Sequence, residues 1–409
     1  MLKVGSSPIP SGIGLSHRRN DRSASASAAR VAFLTNFLPP YRSPVLRALS
    51  AHVLALKTFV STKMEANRNW AADWDKLDVD VQQCFTKKKL DKHPSGFTQE
   101  TYVHLPYDTL PKLTKFRPDV VISGEMGART IQAVLYRIAA PRSRLIIYAD
   151  LSEHTELGRG RTRMLLRRWM VRHADAILVN GNSGARYVKS LGAPETKIFR
   201  VPYATDTSLY ADAAAIKERT QVTKLLHVGQ LIERKGIVLF LHRLSAWAVN
   251  NSGRQLELIL VGDGPLRASI EAANTPTNLK VTLITPMAYS EMPAIYAQAD
   301  IFVLPTLADS WGLVVNEAMA AGLPILGSGK SQAVEELVQD GETGWIFNPD
   351  EPDDVESALR RALSEPRETL AKMGERAREV AIGVTAQVAT EQMIRAIDFS
   401  MNSNGCNIN

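Results

Sequence analysis

Short apolar runs alternate with longer amphipathic stretches along this chain, and the whole pattern occurs twice. Such alternation is typical of β-α-β units, in which helices cover both faces of a parallel sheet. In the first half, strands are predicted at residues 31–34, 54–59, 120–122, 145–148 and 176–179. In the second half, they are predicted at 224–228, 256–261, 281–284, 301–304 and 324–326. The sequence therefore predicts an α/β protein with two Rossmann-like, doubly wound domains.

Polar stretches between these patterns give the expected domain boundaries. Residues 1–30 are rich in Ser, Ala, Gly and Arg and are expected to form a disordered leader, with an organelle transit peptide as the alternative. The first domain is expected over 31–205 and the second over 215–385. Residues 386–409 are expected to form a tail whose helix, at 386–399, returns to pack on the first domain. Further helices are predicted near 43–51, 128–139, 160–173 and 352–363.

Charge and cysteine content exclude several classes of protein. Lys and Arg exceed Asp and Glu by 49 to 42, a net charge of +7. Residues 1–30 carry +4 of this charge and residues 158–173 carry +6, so the rest sums to 7 − 4 − 6 = −3. That distribution does not describe a nucleic-acid-binding surface. Cys84 and Cys406 are too far apart in the chain to suggest a disulfide framework or a structural zinc site.

The chain also lacks the patterns that direct a protein into or across a membrane. No apolar run reaches the roughly 18 residues that span a bilayer. The N-terminus lacks the unbroken apolar core of a signal peptide. We therefore expect a cytoplasmic protein.

Residues 305–324 carry the strongest chemical signal, with the sequence PTLADSWGLVVNEAMAAGLP. A predicted strand leads into a loop that contains Asp309, and a predicted helix that contains Glu317 follows. The start of such a helix presents unpaired backbone N–H groups that can hold a diphosphate without a metal. Taken alone, Asp309 and Glu317 are better explained as a helix cap and a solvated helix acid. The backbone positions expected to face a diphosphate are Gly312, Leu313 and Val314.

This segment resembles the E-x7-E signature of the retaining glycosyltransferases of family 4, the glycosyl transferases group 1. The resemblance continues through the second domain, in the family's order and spacing, at residues 227–231 (HVGQL), 234–236 (RKG), 260–266 (LVGDGPL), 296–300 (YAQAD) and 340–345 (DGETGW). It implies the GT-B fold, in which two Rossmann-like domains face each other across a cleft. It also implies a nucleoside-diphosphate sugar as donor substrate, with no metal and no other cofactor. Two positions depart from the usual pattern, with Asp309 in place of glutamate and Gln230 in place of arginine.

The resemblance also implies roles for individual residues of the second domain. Glu317 would bind the ribose hydroxyls of the donor, and Asp309 would contact the transferred sugar. Arg234 and Lys235 would neutralise the departing diphosphate, because fixed cations stabilise the charge that develops on a leaving group. The donor-side backbone positions are Gly229 and Gly262, and the base is expected near residues 285–287.

In the first domain, the loops that follow predicted strands are candidates for the acceptor side of the cleft. His154 and Asp150 lie in a run of ionisable residues after one strand, and Glu125 follows another. Residues 36–42 contain two prolines and form a stiff loop after the first strand, which is where open α/β sheets commonly hold ligands. The alternative for the run with Asp150 and His154 is a solvated polar loop, and the alternative for residues 36–42 is a rigid turn.

On the predicted helix at 160–173, apolar and basic side chains fall on opposite sides. The apolar side is expected to pack on the sheet and consists of Leu165, Leu166, Trp169 and Met170. The basic side is expected to remain available to anionic headgroups or to a lipid-pyrophosphate acceptor, and consists of Arg163, Arg167, Arg168 and Arg172. The sequence therefore predicts peripheral binding at the inner membrane face.

Together these features predict an enzyme, a retaining hexosyltransferase. Its expected acceptor is a glycan or a lipid-linked molecule, and its expected setting is bacterial surface or exopolysaccharide synthesis. Two alternatives stay open: a sugar-nucleotide epimerase or phosphorylase on the same fold, and a non-catalytic sugar-nucleotide-binding partner protein. The departures at Asp309 and Gln230 favour the second alternative.

Overall fold

The computed structural model describes residues 25–65, 72–210 and 221–403. The strands are β1 (Arg30–Thr35), β2 (Ala55–Val60), β3 (Asp78–Val81), β4 (Cys84–Lys92), β5 (Thr98–Pro106), β6 (Val120–Gly124), β7 (Arg144–Ala149), β8 (Ala176–Val179), β9 (Ile198–Arg200), β10 (Thr223–Val228), β11 (Leu256–Val261), β12 (Leu279–Ile284), β13 (Ile301–Leu304), β14 (Ile325–Ser328) and β15 (Gly344–Phe347). The ten predicted strands are all confirmed, to within a few residues at their ends.

The helices are α1 (Ser43–Ser50), α2 (Thr109–Phe116), α3 (Ala128–Ala139), α4 (Arg161–His173), α5 (Asn182–Ser190), α6 (Ile237–Asn250), α7 (Arg267–Glu271), α8 (Met292–Ala297), α9 (Val314–Ala320), α10 (Gln332–Leu337), α11 (Pro352–Ser364), α12 (Arg367–Ile382) and α13 (Ala386–Asn402). Among the residues described, no helix has the length and apolar character needed to cross a membrane.

Two parallel sheets form the two halves of the molecule. The first has the strand order β3-β2-β1-β6-β7-β8-β9, and the second has the order β12-β11-β10-β13-β14-β15. Strands β1, β7 and β8 are buried along almost their whole length, as expected of a sheet covered on both faces. In each sheet the order reverses beside the first strand, and at such a point the loops at the carboxyl ends of the strands form a ligand crevice.

A separate antiparallel hairpin, β4–β5, was not predicted. Its tip reaches the second half of the molecule. Phe97 is buried against Leu307 and Ala308, and the Thr98 amide donates a hydrogen bond of 2.8 Å to Glu233 Oε2. The hairpin therefore bridges the cleft between the two sheets.

Helix α13 packs on the first sheet, although it follows the second sheet in the chain. Its Thr390 hydroxyl donates to the Val45 carbonyl at 3.3 Å, and Phe399 contacts Phe199 with ring centroids 5.5 Å apart. Asp398 accepts a 2.7 Å hydrogen bond from the Ala26 amide, within a short 3-10 turn at Ala26–Ala28. The expected disordered leader, residues 1–30, lies mostly outside the described residues. The expectation of disorder is wrong for residues 26–30, because Ala26–Ala28 form a turn bonded to helix α13 and β1 begins at Arg30.

Helix α4 presents a different side to the sheet from the one that the sequence predicts. Leu165 is 63% exposed and Leu166 is 38% exposed, whereas Arg167 is only 6% exposed. The Arg167 guanidinium is buried because it donates to the Glu156 carboxylate and the Tyr187 hydroxyl. Met170 packs inward as predicted, Val171 joins it, and Trp169 is partly buried against the same core. The expectation that the leucines face the sheet and all four arginines face solvent is therefore wrong.

Candidate functional site

The predicted catalytic cations and Asp309 meet at the carboxyl edge of the second sheet. Lys235 and Arg234 follow β10, and Asp309 follows the adjacent strand β13. Lys235 Nζ lies 2.6 Å from Asp309 Oδ2, and Arg234 Nη1 lies 3.5 Å from the same oxygen. Arg234 also donates a 2.9 Å hydrogen bond to the Ala308 carbonyl. The structure thus brings Asp309 to two adjacent cations that precede it by more than 70 positions in the sequence.

The electrostatics of this cluster keep Asp309 ionised. Burial alone would raise the pKa of Asp309, but the adjacent Lys235 and Arg234 hold that pKa well below its ordinary value. A hydrogen bond from the Trp311 amide acts in the same direction. Asp309 is therefore a fixed negative charge beside two fixed positive charges.

Glu317 lies apart from these cations, on helix α9. It is 6% exposed, and Tyr296 donates a 2.7 Å hydrogen bond from its hydroxyl to Glu317 Oε2. Burial raises the pKa of Glu317 to about 7, against hydrogen bonds from Tyr296 and Tyr289 that lower it. Asp309 and Glu317 therefore differ sharply in environment, because only Asp309 has cations beside it.

Close backbone contacts fix the loops around the cluster. Gly262 has φ +152°, and a Cβ atom there would lie 1.9 Å from the Gly229 carbonyl oxygen. Gly236 has φ +67°, and a Cβ there would lie 2.1 Å from the Pro305 carbonyl oxygen. Only glycine fits either position. The three positions expected to face the diphosphate are partly exposed at the start of α9: Gly312, Leu313 and Val314.

The first sheet meets this site through the loop after β7. The Ser152 hydroxyl donates a 2.9 Å hydrogen bond to the Asp309 carbonyl. Gln332 Nε2 donates to the Leu151 carbonyl at 3.0 Å, and its Oε1 accepts from the Gly184 amide at 2.8 Å. The loops at the carboxyl ends of both sheets are therefore in contact at Asp309.

The predicted acceptor-side residues have three different environments. His154 is half-buried in the Ser152 loop, its pKa is lowered by burial, and its carbonyl accepts a 2.9 Å hydrogen bond from His93 Nε2. Glu125 has φ +64° at the end of β6 and accepts a hydrogen bond from Asn36 Nδ2. Both candidates lie in strand-end loops of the first sheet, and their roles stay predictions.

Asp150 is engaged in a buried network. Its Oδ2 lies 3.0 Å from Arg42 Nη2 and accepts from the Tyr203 hydroxyl, and its Oδ1 accepts from Asn180 Nδ2 at 2.8 Å. Burial would lower the pKa of Arg42, but the surrounding Tyr203, Tyr148 and Asp150 raise it well above its ordinary value. Asp150 therefore holds a buried cation in place, and its role at the edge of the cleft stays a prediction.

Two residues of the site were not proposed from the sequence. Ser152 reaches Asp309 through its hydroxyl, and nothing in the sequence distinguishes it from other loop serines. His227 is fully buried beneath Gly229, with Nδ1 3.0 Å from the Val303 carbonyl, and burial lowers its pKa to about 4. A histidine within the apolar run at residues 225–228 was a signal that the sequence did contain.

Comparison with known proteins supports the assignment of the second half. Residues 211–380 match the family model described as Glycosyl transferases group 1. Residues 211–380 form a group 1 glycosyltransferase domain. The expectation of such a domain is thereby confirmed.

Relatives of this glycosyltransferase domain are enzymes with different substrates in their names. The sulfoquinovosyl transferase SQD2 of Arabidopsis thaliana is 29% identical over 183 residues, 43% of this chain and 34% of that protein. The chain therefore spans about a third of the length of that relative. A GDP-mannose-dependent alpha-(1-6)-phosphatidylinositol monomannoside mannosyltransferase of Mycobacterium tuberculosis is 26% identical, covering 88% of this chain and 94% of that protein.

The arrangement of the glycosyltransferase domain and the first sheet is that of solved GT-B structures. Anabaena Alr3699/HepE, solved in complex with UDP, superposes with a TM-score of 0.66 over 90% of this chain and 99% of that one, at 14% identity. The prediction of a GT-B fold with two Rossmann-like domains facing across a cleft is confirmed.

We predict that Asp150→Ala strongly destabilises the protein, because it leaves the buried Arg42 guanidinium without its carboxylate. The expected loss is about 3 to 5 kcal/mol in the free energy of unfolding, measured by urea titration. Asp78→Ala is the matched control, since Asp78 pairs with Lys57 at the surface and should cost about 1 kcal/mol or less. Equal losses in the two variants would contradict the proposed role of Asp150.

We predict that Glu317→Gln stabilises the protein at pH 8 and not at pH 5. An acid whose folded-state pKa is raised keeps its full contribution to stability below its unfolded pKa and loses it as the pH rises through the folded value, here about 7. Glutamine does not ionise and avoids this loss, which is about 3 kcal/mol at pH 8. Thermal unfolding at both pH values measures the difference, with the exposed Glu271→Gln as control. A melting temperature at pH 8 equal to that of the parent would show that the Glu317 pKa is ordinary.

Proposed function

We propose that this chain is a retaining hexosyltransferase that moves a hexose from a nucleoside-diphosphate sugar to a hydroxyl group of a glycan or lipid-linked acceptor. The observation that carries this proposal is the cluster of Lys235, Arg234 and Asp309 at the cleft, with the buried Glu317 eight positions further along the chain. A doubly charged diphosphate needs fixed cations, and a ribose needs an acceptor of hydroxyl hydrogen bonds. Both groups lie on one edge of the second sheet.

The arrangement gives each group a distinct task. A bound diphosphate would compete with Asp309 for Lys235 and Arg234, which frees the Asp309 carboxylate to accept a hydrogen bond from the sugar. The bond between the anomeric carbon and the diphosphate oxygen then breaks, and the oxygen keeps the electron pair. The acceptor hydroxyl forms the new bond on the same face of the sugar, and its proton passes to the departing diphosphate. The retained configuration rests on the resemblance of residues 309–317 to the family signature.

The comparisons support a nucleotide-sugar donor for this chain, since a UDP complex and a GDP-mannose-dependent enzyme are among the similar proteins. The phosphatidylinositol mannoside acceptor in the name of the second relative supports a lipid-linked acceptor. With these we propose a cytoplasmic protein that works at the inner membrane face in bacterial surface or exopolysaccharide synthesis.

The donor can be identified by measuring thermal shifts with a panel of uridine, guanosine and adenosine diphosphate sugars, because a ligand that binds the folded state raises the melting temperature.

We predict that Glu317→Gln weakens binding of the best donor by about 1 to 3 kcal/mol in a calorimetric titration, since an amide replaces a carboxylate that accepts ribose hydroxyls. The affinity of the parent should also rise between pH 6 and pH 8, as Glu317 with its pKa near 7 ionises. Unchanged affinity in the variant would remove Glu317 from the donor site.

We predict that Lys235→Ala lowers the rate of sugar transfer or of donor hydrolysis by about a hundredfold, with a smaller effect on donor affinity, because charge develops on the leaving oxygen only as the bond breaks. Single-turnover measurements with saturating donor give the rate. The control is Lys280→Ala, which removes a surface lysine of the same domain.

The anomer of the hexose first released from the donor, observed by proton NMR, tests the retaining outcome directly. Inverted hexose would overturn retention, and a parent protein that binds donor without ever cleaving it would make the chain a binding protein.

A further inference from the structure

Helices α3 and α4 lie side by side on one face of the first sheet, and both pack into the same apolar core. Helix α3 contributes Ala133 and Val134 to that core, and helix α4 contributes Met170 and Val171. Each helix therefore has an inner side that is already satisfied. The side chains on the outer sides are therefore not needed to hold the helices in place.

The outer sides of both helices expose large aliphatic side chains. The exposed fractions are 45% for Leu135, 52% for Ile138 and 63% for Leu165, with Leu166 beside them at 38%. Exposed aliphatic residues are common singly, but four on two adjacent helices form the kind of surface that marks an interaction site. Trp169, half-buried on the same stretch of α4, adds an aromatic ring suited to an interface between water and an apolar phase.

Unpaired cations accompany these side chains on α4. Arg161, Arg168 and Arg172 are exposed and form no ion pair with any residue that the structure describes. Of the other three arginines of this segment, Arg159 and Arg167 both pair with Glu156, and Arg163 is half-buried. The free positive charge of the basic segment therefore lies on the same helix as Leu165 and Leu166.

We propose that this surface, formed by Leu135, Ile138, Leu165, Leu166 and the three exposed arginines, docks the protein on an anionic phospholipid bilayer. The aliphatic side chains enter the boundary between headgroups and acyl chains, and the arginines pair with lipid phosphates. A second copy of the chain is the poorer occupant, because face-to-face pairing would bring six unpaired arginines together. This mode differs from docking by charge alone, since it needs the exposed leucines.

The position of the surface fits the cleft. Helix α4 begins directly after the loop that carries Ser152, whose hydroxyl is bonded to the Asp309 carbonyl. A lipid-linked acceptor held in the same bilayer would therefore lie near the loops that meet at Asp309. Only this last step rests on the proposed transferase activity, whereas docking itself requires no donor and no acceptor.

The experiment is co-sedimentation of the full chain with vesicles of phosphatidylglycerol and phosphatidylcholine, at low and at high salt, with pure phosphatidylcholine vesicles for comparison. The parent protein should bind the anionic vesicles and bind the neutral ones poorly. The double variant Leu165→Gln, Leu166→Gln should lower the partition coefficient roughly tenfold. The triple variant Arg161→Gln, Arg168→Gln, Arg172→Gln should lower it by roughly tenfold or more at low salt and remove most of the salt dependence. Arg167 is left unchanged because it is part of the folded core.

Matched controls come from the second domain. Leu239→Gln with Val249→Gln removes two exposed aliphatic side chains of α6, and Arg360→Gln with Lys372→Gln and Arg376→Gln removes three exposed cations. Both controls should bind vesicles as the parent does. The proposal fails if the parent does not sediment with anionic vesicles at low salt, or if the leucine variant binds as tightly as the parent.

Sedimentation velocity separates docking from self-association. The proposal would be overturned if the apparent mass of the parent protein rose with concentration and that of the leucine variant did not. This surface would then be an interface between copies of the chain. Calorimetric titration of the variants with the donor distinguishes membrane docking from transferase activity. A variant that loses vesicle binding but keeps its donor affinity is defective in docking alone.

Discussion

The ion pair between Lys235 and Asp309 joins the loops that follow two adjacent strands of the second sheet. Backbone contacts reinforce it, because the Leu307 amide donates to the Arg234 carbonyl at 2.8 Å and the Arg234 side chain reaches the Ala308 carbonyl. The first half of the molecule then uses these same loops as its contact surface. Phe97 packs on Leu307, and Ser152 bonds to the Asp309 carbonyl. This charge cluster therefore lies where the two halves of the molecule meet, and it helps to set the shape of the cleft.

The two acids of the site show how differently a fold can treat the same functional group. Asp309 has cations beside it, so its charge is stabilised in the absence of any ligand. Glu317 has only tyrosine hydroxyls, so ionising it in the folded protein is costly. A buried carboxylate with few hydrogen-bond donors around it is stabilised most by a ligand that supplies hydroxyl groups. The cost of burying Glu317 in the free protein is thus a measure of how strongly the site favours such a ligand.

The sequence was informative where local pattern determines structure and uninformative where distant partners do. Apolar runs located the buried strands because a strand covered on both faces must be apolar throughout. The β4–β5 hairpin escaped prediction because its strands are mostly exposed and carry three consecutive lysines, Lys87 to Lys89. The orientation of α4 was wrong because burial of Arg167 depends on Glu156 and Tyr187, and helical periodicity carries no information about those two residues. A long basic side chain with a carboxylate within reach can take a core position that its residue type alone would forbid.

The same distinction applies to the site. Motif spacing placed Asp309, Lys235 and Arg234 at strand ends, and parallel topology brought those ends together. Asp150 looked equally suited to the cleft, and only the positions of Arg42 and Tyr203 show that it is held in a buried network.

The path of the chain between the two sheets limits how the cleft can change. The chain leaves the first sheet after β9 to enter the second, and it returns before α13, which packs back on the first sheet. Two bodies joined at two points can rotate about the line through those points, but sliding or twisting would stretch one of the connections. Two covalent connections therefore restrict the relative movement of the two halves more than a single linker would.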